Sequence, residues 1–376
     1  MRILLYSQMG RTKGGGETVF EHVADGLQDR GHRVDRLFCD YQLPAGTLRR
    51  DDAGWRAAVS APPTLKGFLR PSFTFRFLLS LVALFRLVRT REPEAVNVHF
   101  FQEATLHFVL LKYIFGFHLV VSCHGSDVSN MQAFHERVAP FILSNVDAVT
   151  CVSNALAQRL REQVPGSYSI ETIHNGIDFS FWHVSEDERK EAEQARFVSV
   201  GALKNVKGHD VLIKAFQQVV EKCPDARLQL IGDGPERDHY ESLVRGLGLC
   251  PRVELRGWLS PVEVREALAR ATVFVFPSRH EGFGIALVEA MTAGCPVIAS
   301  RVGGIPEVVS GAEALLVPPE SPDALAQAME RALNDEGWRE KARREGQKRA
   351  RQFCWERAVN QYEACIAGDS NHVIND

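Results

Sequence analysis

At 376 residues the chain is longer than one hydrophobic core comfortably serves, which favours two domains. Its composition, 45% hydrophobic and 24% charged, is that of an ordinary globular protein, and a net charge of −3 excludes the electrostatic footprint of a nucleic-acid binder. Its eight cysteines show neither a C-x-x-C pair nor a Cys/His ligand spacing, a pattern of reduced thiols rather than of disulfides or structural zinc.

In chain order, Arg2–Ser7 reads as a short apolar strand, and its position leaves no room for a signal peptide. The stretch GRTKGGGETVFEHVADGLQDRGHRV then gives a glycine-rich loop and an amphipathic helix ending near Arg30–Gly31, before a strand over 34–38. Gly14, Gly15 and Gly16 let the backbone approach an anion. Their spacing is not G-x-G-x-x-G, and no acidic residue is placed to take a ribose, so a nicotinamide-type site is disfavoured. Residues 41–72, with prolines at 44, 62, 63 and 71, are expected to be irregular.

FTFRFLLSLVALFRLVRTRE follows, but its uninterrupted apolar part between Arg76 and Arg86 is far short of the ~20 residues a membrane span needs. It reads as a buried helix of an α/β layer or, with Arg70, Arg76, Arg86, Arg89 and Arg91 around its apolar bulk, as a helix that docks on an anionic bilayer surface. Strands are expected at 94–100, 119–122, 147–152 and 170–173, with a helix at 104–115. His124, Gly125, Ser126 and Asp127 follow one of these strands, and Ser153 is placed to cap a helix. The HNGID turn at 174–178 precedes a charged, aperiodic segment, 180–195, which reads as the connection between domains.

The α/β alternation restarts at Phe197. Lys207 and Gly208 stand just before a helix, a lysine beside free amides that suits a phosphate. Strands at 228–231, 253–255, 273–276, 297–298 and 314–317 alternate with helices, and the chain closes with helical stretches at 322–334, 336–352 and 354–367 before a polar tail. The most informative unit is TVFVFPSRHEGFGIALVEAMTAGCPVIAS. Its strand Val273–Phe276 is a continuous apolar run of the kind buried on both faces of a parallel sheet. A helix over 285–293 is apolar nearly all round yet carries Glu289, whose burial demands a hydrogen-bond donor: either a structural arginine or a ligand. Glu281, eight positions earlier, lies in the loop facing that helix's N-terminus. The residues alone thus describe two Rossmann-like halves closing on a phosphorylated ligand, and leave the reaction open.

The order GGGE (14–17), HGSD (124–127), HNGID (174–178), GAL…VKG (201–208), IGDGP (231–235), RGWL (256–259) and EGFGIALVEAMTAGCPVIAS…GGIPE (281–307) resembles the retaining GT-B glycosyltransferases of family 4, over nearly the whole chain. The resemblance implies an α/β fold of two Rossmann-like domains with a cleft between them: an acceptor-binding domain over 1–178, a nucleotide-sugar-binding domain over 190–352, a helix at 353–367 crossing back to the first domain, and a tail at 368–376. It implies that Glu289 holds the nucleotide ribose and Glu281 the donor sugar, with Gly282, Phe283, Gly284 and Ile285 offering backbone amides. Lys207 would meet the diphosphate, and Arg256 to Leu259 would lie near the base. Gly16 would line the junction of donor and acceptor, with Gly15, His124 and Asp127 on the acceptor side. Glu281, Lys207 and His124 are the residues to which it gives the chemistry.

No D-x-D-type motif follows a strand in the C-terminal half, so neither a metal nor a cofactor is expected beyond the nucleotide-sugar substrate. The acceptor would be a glycan or a lipid-linked molecule, and the protein cytoplasmic, or peripheral at the inner membrane face. One position departs from the family pattern: Ala202 stands where an arginine usually accompanies the lysine on the diphosphate, leaving Lys204 or Arg279 as substitutes. That departure keeps two alternatives open: a weak or inactive sugar-nucleotide-binding partner, and a GT-B sugar-nucleotide enzyme that is not a transferase.

Overall fold

The computed structural model describes residues 1–8, 15–59, 71–129, 135–189, 194–309, 311 and 314–369, without side chains for 135–137. Gly14, the prolines at 62 and 63, Arg70 and the tail from 370 lie outside the described residues. The chain forms two compact units, Met1–Gly176 with Trp355–Asp376, and Ile177–Cys354.

In the first unit, β1 (Arg2–Ser7) leads into α1 (Gly15–Asp29) and β2 (Arg33–Cys39). A hairpin follows, β3 (Leu48–Asp51) and β4 (Gly54–Ala57), then α2 (Pro71–Arg91), β5 (Ala95–His99), α3 (Thr105–Phe115) and β6 (His118–Cys123). The short α4 (Ser126–Ser129), α5 (His135–Leu143), β7 (Ala148–Cys151), α6 (Asn154–Gln163) and β8 (Ile170–Thr172) complete its first segment. The strands form one sheet in the order β3-β4-β2-β1-β5-β6-β7-β8, in which only β3 runs antiparallel to its neighbour. β1 is flanked by β2 and β5, so successive crossovers leave it in opposite directions and a topological switch point lies at its carboxyl end.

The hairpin is a departure from the irregular stretch expected over 41–72. Its turn is organised by Asp51, whose carboxylate accepts from the amides of Ala53 and Gly54 and also pairs with Arg56. Without an alternating apolar pattern, these strands gave no sign of themselves in the sequence.

The second unit begins with α7 (Phe179–Trp182) and continues β9 (Arg196–Val200), α8 (His209–Lys222), β10 (Arg227–Ile231), α9 (Arg237–Gly246) and β11 (Val253–Gly257). Then come α10 (Pro261–Ala269), β12 (Val273–Phe276), α11 (Ile285–Thr292), β13 (Val297–Ser300), α12 (Ile305–Val308), β14 (Ala314–Val317), α13 (Pro322–Asn334) and α14 (Glu336–Ala350). All six strands are parallel, in the order β11-β10-β9-β12-β13-β14, with the switch point between β9 and β12. Phe197, Val273, Val275 and Ile298 from the sheet pack with Leu212 and Phe216 of α8 and Met329 of α13 in one buried core.

The connection between units differs from the expected 180–195. The chain passes from one unit to the other at Gly176–Ile177 and back at Cys354–Trp355. Residues 179–189 belong to the second unit because they are tied into it: Asp178 caps α7, Arg265 donates to the carbonyl of His183 at 2.7 Å, and Arg189 donates to that of Ala293 at 2.7 Å. The last helix, α15 (Trp355–Ala367), belongs to the first unit. There Tyr362, Cys365 and Ile366 are buried, and Glu363 takes Arg30 at 2.8 Å and His32 at 2.6 Å.

Candidate functional site

Each unit places polar side chains at the carboxyl ends of its central strands, as the topology dictates. In the second unit, β9 ends at Val200 and the chain makes a single 3₁₀ turn, Asn205–Lys207, before Gly208 and α8. Gly208 has φ +68°, and a Cβ there would sit 2.1 Å from the carbonyl oxygen of Pro277, which follows β12. Only glycine lets the two loops approach this closely. The Arg279 amide donates to the carbonyl of Val206 at 2.9 Å, holding the loops together.

The result is a contact between two residues 74 positions apart: Lys207 Nζ donates to Glu281 Oε2 at 2.6 Å. Lys207 also lies over the Phe276 ring, 5.5 Å from its centroid. Glu281 is held in turn by the Ser278 hydroxyl at 3.4 Å, and its carbonyl accepts from the Gly304 amide at 3.1 Å. The GGIPE segment thus supports the Glu281 loop from below, a role the sequence did not show.

α11 starts at Ile285 behind Gly284, without a side-chain cap, so its first-turn amides are available to an anion. Gly282 is half-buried beside it. Phe283 is a core residue, its ring edge-on to Phe353 at 5.4 Å, so only its backbone is left to take part in a site. Glu289 sits one turn into α11 between buried Val288 and Ala290. Neither waiting donors within the protein nor a structural arginine is found: among the described residues nothing donates to this carboxyl, and burial pushes it up to about 7. Arg256 lies in the edge strand β11, two strands from β9, and Leu259 just beyond it; Arg256 pairs with Glu254 at 3.3 Å. No contact joins these two to Lys207 or Glu281 among the described residues.

Ala202 has no cationic replacement in Arg279. That guanidinium grips both carboxylate oxygens of Asp210 at 2.8 Å and the carbonyl of Asn205 at 2.6 Å, with Glu320 at 3.3 Å. Asp210 holds its proton less readily than usual despite burial because of this pairing, and Arg279 is correspondingly more basic. Lys204 is exposed at the start of the 3₁₀ turn.

In the first unit, Gly15 and Gly16 lie in the first turn of α1 rather than in a loop. A Cβ on Gly16 would fall 2.3 Å from the Phe100 ring, so this glycine serves close packing at the switch point. Phe100, at φ +69°, also leans on His124, with ring centroids 4.6 Å apart. Asp127, expected on the acceptor side, is engaged by backbone amides. Its carboxylate is buried and accepts from the amides of Phe101 at 3.0 Å, Gly125 at 2.7 Å, His124 at 3.1 Å and Val128 at 3.2 Å. Burial raises its proton affinity while those amides pull it back, and its work is to shape the turn that presents His124. Behind His124 stands His99, fully buried, with Nδ1 3.0 Å from His124 Nε2. Strand periodicity treats His99 as one more core position, so only the register of neighbouring strands reveals this pair.

Two family models match the chain: Glycosyltransferase Family 4 over residues 13–181 and Glycosyl transferases group 1 over residues 180–352. A glycosyltransferase of Methanocaldococcus jannaschii is 30% identical over 253 residues, covering 66% of this chain and 68% of its own. The N-acetyl-alpha-D-glucosaminyl L-malate synthase of Bacillus anthracis is 28% identical over 298 residues, 76% of this chain and 77% of its own. Among solved structures, HepE of Anabaena in complex with UDP superposes with a TM-score of 0.78 at 20% identity, covering 98% of this chain and 100% of that one. With two family models together spanning residues 13–352 and a switch-point sheet in each unit, the chain belongs to the family 4 (group 1) glycosyltransferases of GT-B fold.

Proposed function

We propose that this transferase moves a sugar, with retention of configuration, from a UDP- or GDP-linked donor to a glycan or lipid-linked acceptor in cell-envelope polysaccharide or glycolipid synthesis, working in the cytoplasm and at the inner membrane face. The observation that carries the reading is the Lys207–Glu281 contact at 2.6 Å, at the switch point of the second sheet and beside the uncapped start of α11. A donor diphosphate suits this place. Lys207 would exchange Glu281 for the phosphates, freeing the Glu281 carboxylate for the donor-sugar hydroxyls. Glu289, with no donor among the described residues, would accept from the ribose hydroxyls. HepE of Anabaena, of the same fold, holds UDP in its solved complex.

Cleavage of the anomeric bond leaves extra negative charge on the diphosphate and positive character on the sugar. Lys207 and the first amides of α11 stabilise the leaving group. Losing one such donor typically costs about 10²–10³ in rate. With no D-x-D motif after a strand in this half, the reading assigns that charge to these groups and to no metal. The acceptor attacks from the face the diphosphate leaves, and a phosphate oxygen takes its proton.

A second reading, a weak or inactive sugar-nucleotide-binding partner, draws on Ala202 together with the engagement of Arg279 by Asp210. A thermal-shift panel of UDP-, GDP- and ADP-sugars against NAD, followed by product analysis with the best ligand, tests both. A ligand at 100 times its Kd should add about 2.7 kcal/mol of stability. Stabilisation by a nucleotide sugar with turnover supports the transferase, stabilisation without hydrolysis or transfer supports the binding partner, and stabilisation by NAD alone refutes both.

A further inference from the structure

A row of buried polar side chains runs across three neighbouring strands of the first unit and ends at His124. Thr150 on β7, Ser122 on β6, and Asn97 and His99 on β5 are each no more than 1% exposed. Thr150 Oγ1 donates to Ser122 Oγ at 2.9 Å, and Ser122 Oγ donates to Asn97 Oδ1 at 2.9 Å. The Tyr362 hydroxyl of α15 bonds to the same pair of hydroxyls. A serine has a single proton to give, and here it goes to Asn97. With its oxygen occupied, Asn97 turns its amide nitrogen to His99 Nε2, 3.3 Å away.

An amide nitrogen only donates, so His99 Nε2 is an acceptor and the proton of that ring sits on Nδ1. His99 Nδ1 faces His124 Nε2 at 3.0 Å and therefore donates to it. His124 is left with its proton on Nδ1. That atom is buried and has no hydrogen-bond partner among the described residues. An orphaned buried donor is costly unless something else accepts from it.

We infer that His99 is a positioning residue: the relay from Thr150 through Asn97 and His99 locks His124 as the Nδ1–H tautomer and so presents a hydrogen-bond donor to a substrate hydroxyl. Charge supports the same assignment. Two imidazolium rings could not share this contact, and burial holds His99 well below the ordinary histidine range, with the neighbouring His124 adding to the effect, and His124 at about 3. The edge of Phe20 at 5.2 Å and the ring of Tyr362 at 6.0 Å close in on His99. The tautomer stands on the protein alone, whereas the use of Nδ1–H on a sugar or acceptor hydroxyl rests on the transferase reading.

Long-range ¹H–¹⁵N correlation spectra of the full chain labelled at histidine, with His124 assigned by its loss in His124→Gln, test the relay directly. The wild-type His124 should show a protonated Nδ1 and a pyridine-type Nε2. Asn97→Asp replaces the donor with an acceptor, so it should reverse the relay and move the His124 proton to Nε2. His99→Phe keeps a ring among Phe20 and Tyr362 but removes both nitrogens. It should release His124 into a mixture of tautomers and, because a neutral hydrogen bond is lost, lower kcat by about tenfold with KM for the nucleotide sugar changed less than about twofold. An Nε2–H or imidazolium His124 in the wild type at neutral pH, or a tautomer unmoved in whichever variant folds, overturns the relay. The spectra need no turnover, so failure of the relay is distinguishable from failure of the transferase reading.

Discussion

Lys207 and Glu281 are partners, 24% and 14% exposed, and each satisfies the other's charge. A lysine whose carboxylate is exchanged for a diphosphate acts where charge develops in the transition state, so Lys207→Ala should lower transfer by about 10²–10³. The native circular dichroism spectrum should be kept. Turnover within a few fold of wild type would remove Lys207 from the mechanism. Glu289 makes a different prediction, through pH. Its carboxyl is raised from 4.5 to about 7 by burial, so ionisation opposes folding. Below the unfolded value both states hold the proton and nothing is lost; as pH rises towards the folded value, the unfolded chain ionises and the folded one resists. Between pH 5 and 8 the wild type should lose about 2 kcal/mol relative to Glu289→Gln, which has no proton to give up. Urea unfolding of the two proteins at both pH values measures this, and a constant difference would mean that the carboxyl is solvated.

At the scale of elements, Gly208 decides whether Lys207 reaches Glu281. An alanine there meets a φ of +68° and the Pro277 carbonyl at 2.1 Å, so either the 3₁₀ turn or the loop after β12 must move. The left-handed backbone alone costs about 1–2 kcal/mol, and the clash adds to it. Gly208→Ala should lower the urea midpoint at unchanged m-value and reduce nucleotide-sugar binding as well, since the lysine is displaced. Loss of stability with binding intact would show that the turn adapts. The same unit shows how far the sequence could be read. Val273–Phe276 is continuously apolar and α11 is apolar nearly all round, so strand, loop and helix were legible almost to the residue. The hairpin of β3 and β4 was not, because Leu48, Arg49, Arg50 and Asp51 carry no alternation and pair at a sheet edge. Arg279 looked available for a phosphate until the fold brought Asp210 to it, and His99, inside the expected strand at 94–100, gave no sign of its partners until three strands aligned around it. Periodicity reports the face a residue occupies, whereas a site depends on which strand end lies next to which.

For the whole molecule, one surface of the first unit bears on where the protein works. α2 is long and apolar enough to cross a bilayer by length and composition. Yet Phe77, Ser80, Ala83, Leu84, Leu87 and Val88 are buried in the unit, which commits one face of the helix to the core. Its other face carries Phe75, Leu78 and Val82, 63%, 51% and 48% exposed, with Arg76, Arg86 and Arg89 exposed among them. The rings of Phe85 and Phe115 meet at 5.1 Å and join this face to the end of α3, where Tyr113 and Ile114 are 69% and 63% exposed. Arg91 does not belong to the surface: it is a strut, bound to Asp35 at 2.7 and 2.5 Å. An apolar stripe edged by cations suits shallow insertion into an anionic leaflet, at about 1 kcal/mol for each basic residue near the surface. The protein should therefore co-sediment with vesicles containing acidic phospholipid at low salt and less so at 0.15 M, where the Debye length falls to ~8 Å. Arg86→Glu with Arg89→Glu should weaken that binding by at least about tenfold, and Leu78→Ser with Val82→Ser should weaken binding to the same vesicles without changing its dependence on salt. If neither pair alters sedimentation, or if the protein ignores anionic vesicles altogether, the stripe is an ordinary solvent-facing helix surface and the case for a lipid-linked acceptor loses its structural support.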